Sequence, residues 1–287
     1  MLWHVLFTVQ AAAGPPATDI FLADLRLDHG RIAIGAPVNV TARPGYDNQP
    51  FFLPDGRAFL YTSIREDSQA DIYRYDIARG VSSRLTTTRE SEYSPTPLPE
   101  RTGFSVVRVE ADSTQRLWAF EADGTRPRLV LDSIRPVGYH AWGDAFTLVL
   151  FVLGTPPTLQ IADARTPGAR GAIVAQNIGR SLQRVPRSPT IAFVQRDSVL
   201  GNWIEEVNPR TKVVTPLVRT LEGTDFFTFT PDGIVLAAQG TKLYQWNPRR
   251  SQAWEEVADV ASAGLTNVTR LAVSPNGDRL AIVAVPR

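Results

Sequence analysis

The sequence predicts an all-β fold, a six-bladed β-propeller of four-stranded blades, on three observations. One hairpin phrase, two apolar strands around a Pro-Asp-Gly or related turn, returns at intervals of about 44 residues or twice that. A further short apolar strand, and then another, follows the hairpins. The final hairpin lacks those two strands, and two strands without a hairpin stand near the start of the chain.

The elements justify this reading in order. "TDIFLADLRLDHG" at 18 and "APVNVT" at 36 are the two unaccompanied strands. "FFLPDGRAFLYTS" at 51 is the first full hairpin. Proline presets φ for the first turn position, and glycine accepts the positive φ that closes the turn. Its flanks are rich in the aromatic and branched residues that suit a pleated, buried surface. "DIYRYDIARG" at 71 and "SRLTTT" at 83 complete the blade. Blade two reads "SEYSPTPLPE", "RLWAFEADGT" and "PRLVLD". Blade three has a Gly-Asp turn in "YHAWGDAFTLVLF", then "LQIADARTPG" and "GAIVAQ". Blade four turns at Pro186 and continues through "WIEEVNPRT" and "VVTPLV". Blade five holds "FTFTPDGIVLAAQ", "LYQWNPRRS" and "WEEVAD". Blade six begins with "LAVSPNGDRLAIV" at 271. The strands from 18 and 36 are expected to supply its outer half, so that both ends of the chain share one sheet and no edge is left open. Trp118, Trp142, Trp203 and Trp246 fall on strands and are expected to pack between blades.

The repeat spans nearly all of the 287 residues, so residues 18–287 are expected to form a single domain. The leader at 1–17 is apolar, ends in small residues before a Pro-rich stretch and carries no Lys or Arg. It reads as a short or vestigial export signal. No segment is long enough to span a bilayer. The net charge of +1, with no basic stripe, argues against a nucleic-acid partner. The chain has no cysteine, which excludes disulfides and thiol catalysis, and no tight His or Cys spacing suggests zinc.

"YDNQPFFLPDGRAFLYTS", "SEYSPTPLPE" and "LAVSPNGDRLAIV" resemble the repeats of the WD40-like, TolB-type six-bladed propellers. The resemblance covers about 18–287. It implies exported, periplasmic or secreted bacterial proteins that bind other proteins or small ligands at the centre of the ring. TolB itself carries a separate N-terminal domain, which is not expected here. Similar propellers also precede serine-peptidase domains, but no Gly-x-Ser-x-Gly elbow occurs.

In a propeller the innermost strands line a central channel, and the loops entering them form one mouth. These entries fall at "YDNQPF", "ESEYSP", "VGYHAW", "GRSLQR", "GTDFFT" and "LTNVTR". Their polar members are Asp47, Asn48, Gln49, Glu92, Tyr93, Tyr139, His140, Arg180, Gln183, Asp225, Asn267 and Arg270. Asn48, Tyr93, Tyr139, Arg180, Gln183 and Arg270 are the candidate ligand-binding set. Asn48, Glu92, Asp225 and Asn267 supply oxygens of the kind a hard cation such as Ca²⁺ prefers. His140 is the one histidine placed for acid–base work, with Glu92 as the accompanying carboxylate. Each residue also has a plain structural alternative: Asp47 and Asp225 as turn caps, Glu92 bridged to Arg180, His140 in an inter-blade hydrogen bond, the tyrosines as wall.

Two functions follow. The first is a monomeric binding propeller that takes a small molecule or peptide at the channel mouth. The alternative is a Ca²⁺-dependent hydrolase of lactones or phosphotriesters, in which the cation polarises the scissile group and His140 or a carboxylate handles the proton.

Overall fold

The computed structural model describes residues 15–65, 68–99 and 102–287. The leader expected at 1–17 therefore lies almost wholly outside the described residues. Six antiparallel sheets follow one another around a ring. Blade one runs Tyr46–Phe52, Ala58–Ile64, Ala70–Asp76 and Val81–Arg84 from axis to rim. Blades two to five repeat the pattern, with innermost strands Ser91–Pro97, Val137–Trp142, Ile178–Arg184 and Phe227–Phe229. In blade six the innermost pair, Leu265–Val273 and Arg279–Pro286, is joined by Asp19–Asp28 from the other end of the chain. That closing strand pairs from Asp19↔Ala284 to Asp24↔Arg279.

The rim of blade six differs from expectation. The strand expected at 36–41 contributes only Val38–Asn39, opposite Phe21 and Leu22. The rest of the edge is covered by Arg31–Ile34, paired with Leu25–Asp28. The cause is local: His29 and Gly30 both take positive φ (47° and 77°) and fold the closing strand back on itself.

The turns obey their chemistry. In three of the hairpins the glycine N–H donates to the carbonyl three residues back, Gly56 to Leu53, Gly233 to Thr230 and Gly277 to Ser274, each at 2.9 Å. Blade three has no proline there. Asp144 instead accepts from the N–H groups of Phe146 and Thr147 at 2.8 and 2.7 Å.

The core is six apolar layers, one at each blade–blade interface. Ile72 and Leu60 meet Phe104 and Phe120 between blades one and two. Ile20, Val283, Phe59 and Tyr61 fill the seam between blades six and one. The other four seams are built alike. Because a blade is covered on both faces, its second strand is buried throughout, as from Ala58 to Ser63 or Leu148 to Val152. Trp142, Trp246 and Trp118 pack in these seams, whereas Trp203 is only half-buried, beneath the Arg219 guanidinium.

Candidate functional site: a two-ended channel

The innermost strands do not run straight along the axis. In blades one, two, three, four and six the register with the second strand shifts, at Asn48/Phe51, Tyr93/Thr96, Val137/Tyr139, Ile178/Leu182 and Thr266/Arg270. Gln49 and Ser94 sit at two of these bulges with φ of 58° and 54°. The conformation is held across blades: Gln49 Oε1 accepts from the Ser94 N–H at 2.7 Å and from Thr62 Oγ1 at 2.8 Å. A bulge rotates the side chains that follow it, so each strand presents a new set of residues to the axis at that level.

The channel this creates is unequal at its two ends. On the entry side, all six blades close around a central space of about 80 Å³, lined by Gln49, Ser94, Tyr139, Arg180, Phe226 and Arg270 among others. Phe51, Thr96, His140, Leu182 and Gln183 border this space and also the next one, and form a waist. Beyond the waist, toward the hairpin turns, the channel opens into a cavity of about 780 Å³. Its wall is mixed: Phe51 and Phe229 present apolar surface, with Phe52, Trp142 and Leu182 largely buried behind, and Gln183, Arg184, Arg187 and Ser188 add polar groups. Its rim is a ring of prolines that includes Pro54, Pro99, Pro186, Pro231 and Pro275. The sequence reading looked only at the entry loops and missed this end. The signal was present in the recurrent turn prolines themselves and in the Pro-rich runs at 95–99 and 186–189.

The candidate residues are distributed unevenly. The three carboxylates do not converge on the axis, because each is held by its own arginine. Asp47 is fully buried and pairs with Arg43 at 2.7 Å. Glu92 is fully buried, accepts from Arg108 Nε at 3.1 Å and from Thr88 Oγ1, and does not bridge to Arg180. Burial pushes its carboxyl up to about 7, against the lowering effects of Thr88 and Arg108. Burial likewise raises the Asp47 carboxyl. Asp225 is gripped by both the Nε and a terminal nitrogen of Arg196. Asn48 turns to the closing strand and donates to Thr18 Oγ1 at 3.3 Å. Asn267, with φ of 46°, lines a side cavity of about 300 Å³ together with Asp225 and Arg270. The oxygens assigned to a cation are thus divided among separate ion pairs and a side cavity. Among the described residues no group of three or more His, Asp or Glu side chains gathers as a metal site.

His140 lies at the waist, 6% exposed. Its Nε2 is 2.7 Å from Ser105 Oγ, which also accepts from Trp142 Nε1 at 2.9 Å. Burial holds the imidazole down to about 3, so it is neutral at ordinary pH. Its inter-blade bond ties blade three to blade two. Arg180, Arg270 and Tyr139 do meet at the entry mouth. Arg270 donates to Tyr139 Oη at 2.9 Å, and its guanidinium lies 3.9 Å from the Phe226 ring centre. Tyr93 lines a neighbouring cavity with Tyr139 and Arg180, and Gln183 stands at the waist.

No family model matches the chain. Its fold is shared with solved propellers. A putative TolB from Agrobacterium tumefaciens is 14% identical with a TM-score of 0.71, over 95% of this chain and all of that one (100%). TolB from Acinetobacter baumannii is 14% identical with a TM-score of 0.59, over 93% of this chain. The chain spans 64% of that TolB's length. An oligogalacturonate lyase in complex with manganese is 13% identical with a TM-score of 0.56, over 96% of this chain and 99% of that one. The architecture is therefore that of the TolB-type six-bladed propellers.

Proposed function

We propose that residues 18–287 form one binding propeller, exported behind the leader at 1–17, whose ligand is an extended peptide segment of another protein seated in the wide, hairpin-side mouth. The observation that carries this reading is the asymmetry of the channel. On the axis a cavity of about 780 Å³ with a proline rim opens on one side of the waist, against about 80 Å³ on the other, where the remaining space is divided into separate side clefts of about 300 and 370 Å³. The largest volume lies within the range of small-ligand and peptide pockets. The rim prolines and the accessible rings of Phe51 and Phe229 suit apolar or proline-bearing side chains, which bind such surfaces at low entropic cost. Export fits the TolB-type resemblance, and no helix among the described residues is long and apolar enough to cross a membrane. A metal-dependent enzyme finds support in the lyase among the structural neighbours, but not in Asp47, Glu92 and Asp225, which are already engaged by arginines.

Selection of peptides from a random displayed library against the purified chain tests the reading. Selected peptides should lose binding to Ser188→Trp, which fills the mouth from a half-buried rim position, and bind more weakly to Phe229→Ala. Arg180→Ala, at the opposite mouth, should leave them unaffected. Peptides that ignore Ser188→Trp, or a library that yields none, would remove the proposal.

A further inference from the structure

Both mouths carry arginines, Arg184 and Arg187 at the wide one and Arg180 and Arg270 at the entry. Asp47, Glu92 and Asp225, the carboxylates nearest to it in the chain, are neutralised by Arg43, Arg108 and Arg196. Two further cations remain. Arg180 is exposed, and among the described residues no acceptor or carboxylate engages it. Arg270 spends one nitrogen on Tyr139 Oη and forms no ion pair among the described residues, although Glu222 and Asp225 line the same side cavity. Both line the central space, and Arg180 also borders a cleft of about 370 Å³ that opens beside it.

That cleft is walled by phenols and aliphatic carbons. Tyr46, Tyr93 and Tyr139 reach it from the entry ends of blades one, two and three, and Phe151, Val107 and Leu153 form its apolar side. Tyr139 packs edge-on against Phe151, with ring centres 5.8 Å apart. Burial raises Tyr46 to about 12, with Arg270 acting in the opposite sense, so its hydroxyl keeps its proton. Tyr139 Oη, having accepted from Arg270, still has its own proton to donate. Among the described residues Arg180 is thus a cation without a counter-charge, set among phenol hydroxyls and two glutamines beside the exposed side chain of Leu153. A carboxylate supplies the missing counter-charge and matches the planar guanidinium fork.

We infer that the entry-side cleft is a second binding site, distinct from the peptide mouth, for a small planar molecule carrying a carboxylate: the carboxylate meets Arg180 and the Tyr46 and Tyr139 hydroxyls, and the ring lies against the exposed Leu153. The inference does not rest on the peptide reading, since the two sites lie on opposite sides of the waist.

Calorimetric titration of the full chain with 2-naphthoate, uncharged 2-naphthamide and 2-naphthyl phosphate tests it. Naphthoate should bind saturably, at least tenfold tighter than the amide, and weaken as salt is raised. Arg180→Ala should cost at least tenfold, with partial recovery in Arg180→Lys, and Tyr139→Phe should cost less. Arg180 is a surface side chain, so unchanged melting of its variants will show that the fold is kept. Ser188→Trp should leave naphthoate binding unchanged. Phosphate binding tighter than carboxylate would reassign the anion and overturn the carboxylate class. Equal binding of naphthoate and naphthamide, indifference to Arg180→Ala, or no saturation at millimolar naphthoate would overturn the site itself.

Discussion

Removing residues 18–41 should unfold the propeller, and the size of the effect follows from the closing sheet. Ile20, Phe21, Leu25 and Ile32 are 0%, 4%, 3% and 2% exposed, and all would be lost. At about 1.5–3 kcal/mol for each fully buried large apolar side chain, the loss is about 6–12 kcal/mol. A domain of this kind has about 5–15 kcal/mol in total. The deletion also bares the edge of Arg279–Pro286, whose Leu280, Ile282 and Val283 are buried by it and its neighbours. Thermal melting by circular dichroism should show the truncated chain without a cooperative transition at 25 °C, and a peptide spanning 15–42 added in trans should restore one. Two point variants calibrate the argument. Ile20→Ala should cost about 2–5 kcal/mol, whereas Val38→Ala, at a residue 64% exposed, should stay within about 0.5 kcal/mol. A truncated chain that melts like the parent, or an Ile20→Ala cost no larger than that of Val38→Ala, would refute the closure.

Two further predictions concern pH, and their slopes oppose each other. Glu92 has a folded pKa raised to about 7, so the native state holds its proton more tightly than the unfolded chain. The stability it contributes is full below about 4.5 and is lost as pH rises through 7, about 3 kcal/mol in all. In urea denaturation from pH 4.5 to 8 the parent should lose stability relative to Glu92→Gln, and a constant difference would show that Glu92 is ionised throughout. His140 is held down to about 3 by burial, so only the unfolded chain takes up its proton between about 3 and 6.5. The stability it contributes is full above 6.5 and is lost as pH falls, with an upper bound on the order of 5 kcal/mol. His140→Asn should flatten this acid limb, and an imidazole NMR resonance of His140 titrating near 6.5 would contradict it.

The sequence by itself determined the blade count, the inner hairpin of each blade and the sharing of the last blade between the two ends. These features are local: a Pro-Asp-Gly turn and its apolar flanks specify a hairpin wherever they occur, and their period counts the blades. The backfolding of the closing strand at His29 and Gly30 was also written locally, in the His-Gly pair that ends "TDIFLADLRLDHG". The channel's chemistry was not legible in the same way. Side-chain direction alternates along a strand, so a count by twos holds only while the register is unbroken. The bulges between Asn48 and Phe51 and between Tyr93 and Thr96 break it just where the chain meets the axis. Of the residues named for the mouth there, Asp47, Asn48 and Glu92 turn into the blades, Gln49 does line the channel, and Phe51 and Thr96 join it. Charge pairing was likewise decided by the tertiary fold. Glu92 meets Arg108 because the two face each other on paired strands, and Asp225 meets Arg196 because the loops of blades four and five lie side by side. Those pairings remove the carboxylates from the entry mouth and leave Arg180 and Arg270 there, because a buried carboxylate must be paired or protonated and an exposed arginine at a water-filled mouth needs no partner.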